Sequence, residues 1–197
     1  MTPLSTELST HVSTACALAA ERWFDRYAYP PWLRVHSRVV GRIAGVLALA
    51  HRAAGADLDV EAVTLAGYLH DVGRSPLLAG VAGEHEERSA LVLVAEGQLA
   101  LAELARRHPV YAPLDPARAP RTLAEKIVNV ADRRGSQRLV TIAERVREIG
   151  ERHPEYLLEV PRALAHAAAL EREVFAGLPF GPDELEDALG DEHRTRP

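Results

Sequence analysis

The chain has 197 residues, of which 47% are hydrophobic, so it is long and apolar enough to bury the core of a single domain. Its formal net charge of -5 argues against a general nucleic-acid binder, because such proteins carry a basic surface. Its single cysteine, Cys16, excludes an intramolecular disulfide and a cysteine-based zinc site.

The N-terminal residues have no positively charged start and no uninterrupted apolar run, so the pattern predicts no signal peptide. Further along, no stretch approaches the roughly 20 apolar residues of a membrane span. We therefore expect a cytoplasmic protein that has neither a membrane nor a nucleic acid as partner.

Apolar residues recur at helical spacing along most of the chain, without a convincing alternation typical of strands. The pattern predicts an all-α fold whose first helices cover about residues 6–27, 32–54, 59–70, 84–96 and 99–108. Thr122 and Thr141 then each begin a capping box, which predicts two more helices, and a last long helix is expected over about 161–176. The proline-rich connection 109–120 must be irregular, because prolines lack a backbone donor, and it is a candidate lid over a site.

A histidine and an aspartate, His70 and Asp71, stand side by side at the end of an apolar helical run and are followed by Val72-Gly73-Arg74. An imidazole nitrogen next to a carboxylate oxygen is a donor pair that divalent metal ions accept. Upstream, His36 lies in an early turn of a helix, and downstream Asp132 interrupts an apolar helical stripe. The chain thus presents candidate metal ligands in the order His, His-Asp, Asp.

This order, in these helical surroundings, resembles the HD superfamily of metal-dependent phosphohydrolases over roughly residues 31–154. The segment 123–154 is similar to a group of small bacterial and archaeal HD hydrolases. The resemblance implies an HD-domain helical bundle in which four residues hold one divalent metal ion: His36, His70, Asp71 and Asp132. His85 and His108 fall where binuclear members of the superfamily place extra ligands, so we expect two ions with Asp71 between them.

The resemblance also implies a division of the chain. Residues 1–30 would form an N-terminal helix packing on the core, and residues 31–154 would form the HD domain. Residues 155–180 would add a C-terminal helix to the same domain, and residues 181–197 would be a polar tail.

Phosphate esters resist attack because the nucleophile meets a shell of negatively charged oxygens. A bound metal ion neutralises part of that charge and lowers the pKa of its water from 15.7 toward about 7. The resemblance implies that Asp71 orients or helps to deprotonate the water and that Arg74 binds phosphate. Many relatives carry lysine at that position, but a guanidinium keeps the charge and adds a planar fork for two phosphate oxygens. Arg133 and Arg138, which follow Asp132, are further candidates for substrate binding.

The sequence therefore predicts an enzyme, a metal-dependent phosphohydrolase that cleaves a phosphate ester or anhydride of a nucleotide or a similar small phosphorylated metabolite. Histidine and carboxylate ligands suit iron, manganese, cobalt, nickel or zinc and do not distinguish among them. Two alternatives stay open: a regulatory protein that binds a nucleotide without turnover, and a di-iron oxygenase on the same scaffold. A homodimer formed through the first and last helices is a further expectation.

Overall fold

The computed structural model describes residues 3–154 and 158–190, with side chains from residue 14 onward. In that part of the chain the regular elements are helices, and an isolated bridge between Gly135 and Leu139 stands in place of a sheet. The helices are α1 (Pro3–Arg26), α2 (Pro31–Ala53), α3 (Val60–Leu69), α4 (His85–Ala95), α5 (Leu99–Arg106), α6 (Leu123–Arg134), α7 (Ile142–Arg152), α8 (Val160–Phe175) and α9 (Leu185–Leu189). The predicted all-α class is confirmed.

Local signals in the sequence determine where several helices begin. Asp59 caps α3 by accepting a hydrogen bond from the backbone N–H of Ala62. Both predicted capping boxes are formed, at Thr122 before α6 and at Thr141 before α7. Among the described helices, none combines the length and the apolar character that a membrane crossing requires.

Helix α2 lies at the centre of the fold and packs against α1, α3, α6 and α9. Its side chains Leu33, Ile43 and Leu47 are fully buried. The crossing with α3 is close because Gly67 has no side chain, and a Cβ there would lie 2.7 Å from the Cβ of Ala44. This approach brings the start of α2 and the end of α3 within reach of each other, and both carry candidate ligands.

The structure corrects the predicted polar tail at 181–197. A short turn, Pro182–Glu184, leads into α9, where Leu185 is fully buried and Leu189 is buried at 8% exposure. Acidic neighbours mask these two leucines in the sequence, but their spacing of four places both on one face of a helix. The segment 182–189 therefore packs on the core through these two leucines, while residues 191–197 of the predicted tail lie outside the described residues.

Candidate metal centre

The structure brings all six predicted metal ligands together, although they come from separate elements. Each lies in a helix or directly at a helix end: His36 in α2, His70 and Asp71 after α3, His85 at the start of α4, His108 after α5, and Asp132 in α6. Five of the six are buried, at 6% exposure or less, and the His85 side chain is 17% exposed. A water-poor centre is thus assembled where five helices end or pass.

One half of the centre forms around His36. Its Nε2 lies 3.2 Å from Nε2 of His70 and 3.2 Å from Oδ1 of Asp132. The Oδ2 atom of Asp71 lies 3.7 Å from Nε2 of His36 and 3.6 Å from Nε2 of His70. Two nitrogens and two carboxylate oxygens therefore face one point.

The other half forms around His85 and His108, whose Nε2 atoms lie 3.2 Å apart. The second oxygen of Asp71, Oδ1, lies 3.3 Å from Nε2 of His85 and 3.4 Å from Nε2 of His108. The two oxygens of Asp71 thus face different halves of the centre, as the predicted position between two ions requires.

Hydrogen bonds to backbone carbonyls orient the imidazole rings. The Nδ1 atom of His70 lies 2.8 Å from the carbonyl oxygen of Gly67, and that of His108 lies 2.5 Å from the carbonyl oxygen of Ala105. A carbonyl only accepts hydrogen bonds, so in the neutral rings the proton belongs on Nδ1. Each Nε2 then presents a lone pair toward the centre. Lone pairs and carboxylates that converge in this way repel one another unless a cation lies between them.

Protonation states in the centre favour metal binding. Burial lowers the pKa of His70 and of His85 from 6.5 to about 3, so both rings are neutral at pH 7. Burial alone would raise the pKa of Asp71 and of Asp132, but the nearby charges, first of all Arg74 and Arg133 respectively, hold both pKa values well below the usual range. The centre therefore offers neutral nitrogens and ionised carboxylates, the forms that bind metal ions.

The environment of one buried oxygen atom indicates whether these residues fit a metal ion. Oδ1 of Asp71 is buried and has no hydrogen-bond partner among the described residues. A buried carboxylate oxygen without a partner is costly. The ligand atoms of His70, Asp71 and His108 lie within 4.8 Å of one another, as do those of His36, His70 and Asp132. Both groups fit a divalent metal ion.

The approach of α4 to the centre depends on a glycine. A Cβ at Gly73 would lie 2.0 Å from the carbonyl oxygen of His85 and 2.9 Å from the hydroxyl of Ser89. The backbone N–H of Gly73 donates to that hydroxyl at 2.8 Å. The turn after Asp71 is thereby held directly against the start of α4, which sets the distance between Asp71 and His85.

The three arginines predicted to bind substrate have different positions. Arg74 borders the centre, with Nε donating to Oδ2 of Asp71 at 2.8 Å and an Nη atom 2.9 Å from Nε2 of His85. Arg133 is 1% exposed and donates to the Asp132 carboxylate and to the backbone carbonyl of His108. Arg138 is 67% exposed and borders a separate cavity lined by α1 and α2. Arg133 also borders the cavity over the centre, whereas Arg138 is not brought to the centre. Of the three, Arg74 combines exposure with a place beside the centre, and the substrate-binding roles of these arginines stay predictions.

A cavity of about 500 Å³ opens over the centre, in the size range of small-molecule sites. Its floor includes five of the six candidate ligands and Arg74, while His70 lies buried beneath. Helix α7 contributes Arg145, Ile149 and Arg152 to the wall, which the sequence analysis missed. Their spacing of four and three residues on a helix was the signal that could have identified them as one face. The proline-rich connection contributes Val110 and Tyr111, consistent with the predicted lid.

An all-helical bundle with a buried histidine and carboxylate centre under a cavity defines a class of metal-dependent proteins. The family model of the HD domain matches residues 34–135, more than half of the chain, and this range includes all six candidate ligands. The chain belongs to the HD domain family, and this membership points to a metal-dependent hydrolase. The buried clusters fit the divalent metal binding of HD domains. No curated protein and no solved structure matches the chain.

Proposed function

We propose that this protein is a phosphohydrolase that holds two divalent metal ions and cleaves a phosphate ester or anhydride of a nucleotide or a similar small metabolite. The observation that carries the proposal is the position of Asp71. Its two oxygens face separate pairs of histidine nitrogens, and Oδ1 has no other partner. A carboxylate between two sets of neutral nitrogen donors suits a pair of cations better than one.

The residues that would hold the metal divide into two sets that share Asp71. The first adds His36, His70 and Asp132, and the second adds His85 and His108. A divalent ion bound there lowers the pKa of a coordinated water toward about 7 and withdraws charge from a phosphate oxygen. Iron, manganese, cobalt, nickel and zinc all suit these donors.

Asp71 and Arg74 supply the remaining chemistry. The low pKa of Asp71 keeps it ionised, so it orients the attacking water by accepting a hydrogen bond. The oxygen of that water forms a bond to phosphorus, the bond from phosphorus to the leaving oxygen breaks, and the protons of the water pass to the products and to solvent. Arg74 borders the cavity and pairs with the phosphate oxygens through charge-assisted hydrogen bonds.

Apolar residues at the edge of the cavity favour a nucleotide over a smaller phosphate ester as the substrate. Trp32 is 49% exposed although it borders the cavity, and Tyr111 and Ile149 border the same space. Aromatic faces stack on nucleobases in a way that tolerates every base. A base against these apolar residues would leave its phosphates beside the metal centre and Arg74.

Metal content and phosphate release together test the proposal. Freshly purified wild-type protein is compared with a His85→Ala/His108→Ala double variant. The control is His166→Ala, because His166 is an exposed residue of α8 that does not border the cavity. We expect two ions per chain in the wild type and in His166→Ala, one in the double variant, and metal-dependent phosphate release from nucleotides that is lost in Asp71→Ala.

Other outcomes would replace the proposal. Saturable nucleotide binding without product under any of the five metals would indicate a regulatory binding protein. Consumption of oxygen that requires iron would indicate a di-iron oxygenase. One ion in both the wild type and the double variant would show that His85 and His108 are structural.

A further inference from the structure

Helix α7 presents two arginines and two glutamates to the cavity, none of them among the six candidate metal ligands. Arg145 and Arg152 lie seven residues apart, two helical turns, and both border the cavity with Ile149 between them. The capping box at Thr141 determines where this helix begins. Val146 is buried in a second small core shared with α8, which determines which face of α7 turns toward the cavity.

Arg145 lies closest to the metal centre. Its side chain is 11% exposed, and its Nε donates to the backbone carbonyl of Asp132 at 3.3 Å. An Nη atom lies 3.5 Å from Oδ1 of Asp132 and another lies 3.8 Å from the Glu148 carboxylate. These contacts are long, so the guanidinium is held in place while its charge is only partly compensated.

Arg152 is more accessible. Its side chain is 59% exposed, its Nε donates to the backbone carbonyl of Glu148 at 3.2 Å, and an Nη atom lies 3.9 Å from the Glu148 carboxylate. That carboxylate also accepts a hydrogen bond from the Ser136 hydroxyl at 2.9 Å and faces Arg145. One carboxylate is thus shared between two guanidinium groups, which leaves positive charge at this wall of the cavity.

Four arginines border the cavity: Arg74, Arg133, Arg145 and Arg152. Burial and the charges of Arg145 and Arg74 lower the pKa of Arg152, while Glu148 acts in the opposite direction. Glu151 also borders the cavity, but its side chain is 66% exposed, so solvent screens its charge. Like charges that converge on an open space are stabilised by an anion placed between them.

We propose that Arg145 and Arg152 form a second phosphate subsite, so that the substrate carries at least two phosphoryl groups, as a nucleoside diphosphate or triphosphate does. This inference rests on the proposed function. The reacting phosphoryl group lies at the metal centre beside Arg74, and its neighbour lies against α7. The water oxygen bonds to the reacting phosphorus, and the bridging oxygen departs with its electron pair on the phosphate that Arg152 holds. The protons of the water pass to the product phosphate and to solvent.

Arg152→Ala tests the subsite more directly than Arg145→Ala, because Arg145 also contacts the candidate metal ligand Asp132. Its matched control is Arg147→Ala, which removes an arginine of the same helix that is 70% exposed and does not border the cavity. Four proteins are compared: the wild type, Arg152→Ala, Arg152→Lys and Arg147→Ala. For each we measure the steady-state hydrolysis of AMP, ADP and ATP and of the corresponding nucleotides with the other bases.

We expect the wild type to prefer a diphosphate or triphosphate to the matching monophosphate. Arg152→Ala should lower kcat/KM for the preferred substrate about 10- to 100-fold, the range for one hydrogen bond between charged groups. Monophosphate hydrolysis should stay within about twofold, Arg152→Lys should recover part of the loss, and Arg147→Ala should behave as wild type. Equal losses on monophosphates and polyphosphates, or a wild-type preference for monophosphates, would overturn the subsite.

A wild type that hydrolyses none of these compounds would contradict nucleotide hydrolysis as the function. Nucleotide binding then tests the subsite separately. Dissociation constants for AMP and for the non-hydrolysable α,β-methylene ADP are measured by calorimetry. Tighter binding of the diphosphate that depends on Arg152 and not on Arg147 supports the subsite. Equal binding of the two nucleotides overturns it.

Discussion

The Glu86 carboxylate lies 3.2 Å from Nδ1 of His85, the ring nitrogen that does not face Asp71. The other carboxylate oxygen of Glu86 accepts a hydrogen bond from Arg118, which belongs to the proline-rich connection. Glu86 is 3% exposed, so a buried carboxylate links this connection to a candidate metal ligand. Such partners set the orientation and the basicity of a ligating histidine.

Glu86→Gln should weaken the binding of one metal ion. His85 and Arg118 face different oxygens of Glu86, and the amide replaces one of these oxygens with an NH2 group that cannot accept a hydrogen bond. We expect about 10- to 100-fold weaker affinity at the half of the centre that contains His85, and unchanged affinity at the other half. Competitive metal titration measures both. Glu87→Gln is the control, because Glu87 is 44% exposed and pairs with Arg106. Wild-type metal affinity in Glu86→Gln would contradict the role of the Glu86 carboxylate.

Gly73→Ala should destabilise the protein and disturb the same half of the centre. The added methyl group would lie 2.0 Å from the carbonyl oxygen of His85, so α4 must move away from Asp71. We expect a loss of about 1–3 kcal/mol in the free energy of unfolding in urea and a loss of one bound ion. Gly80→Ala is the matched control, since a Cβ there would meet nothing within 4 Å. A stable Gly73→Ala variant with two ions would show that the close approach is not required.

Metal ions should stabilise the fold, because the converging nitrogens and carboxylates repel one another without them. An ion present at 100 times its dissociation constant should add about 2.7 kcal/mol per site to the free energy of unfolding. Thermal unfolding with manganese and with a chelator measures the shift in melting temperature. This shift should be smaller in His36→Ala and unchanged in His166→Ala. The same melting temperature in both solutions would rule out a metal site in the folded protein.

Much of this centre could be predicted because its signals are local. The two capping boxes and the apolar spacing define helices without any tertiary information, and the ordered histidines and aspartates match a family pattern. The division of Asp71 between two pairs of nitrogens could not be predicted, because it depends on distances between residues far apart in the chain. These distances follow from close packing such as that at Gly67.

The positions of the arginines in this site could not be predicted from the sequence, and the physical reason is the same for each. Charged residues on a helix usually lie on the solvated face, and sequence gives no indication of how a helix is rotated about its axis. Arg145 and Arg152 border the cavity because Val146 turns α7 toward the second small core. Arg133 follows a candidate ligand directly, yet it is buried because the carbonyl of His108 and the Asp132 carboxylate compensate its charge.

Arg133→Ala should therefore cost stability before it affects substrate binding. Its removal leaves Asp132 buried at 6% exposure without its nearest cation, and breaking a buried ion pair costs about 3–5 kcal/mol. Arg138→Ala, at an exposed position, should change the free energy of unfolding by less than about 0.5 kcal/mol. Denaturant unfolding measures the stability of both variants. Wild-type stability with weakened nucleotide binding in Arg133→Ala would instead support the predicted role of Arg133 in substrate binding.

Leu185→Ala tests the inclusion of α9 in the core. Leu185 is fully buried, so its truncation should lower the free energy of unfolding by about 2–5 kcal/mol. Leu99→Ala serves as the control, since Leu99 is 65% exposed and should contribute less than about 0.5 kcal/mol. Urea unfolding of the two variants beside the wild type gives the comparison. A loss in Leu185→Ala no greater than that in Leu99→Ala would mean that α9 is not packed in solution, and that the segment behaves as the polar tail predicted from its acidic residues.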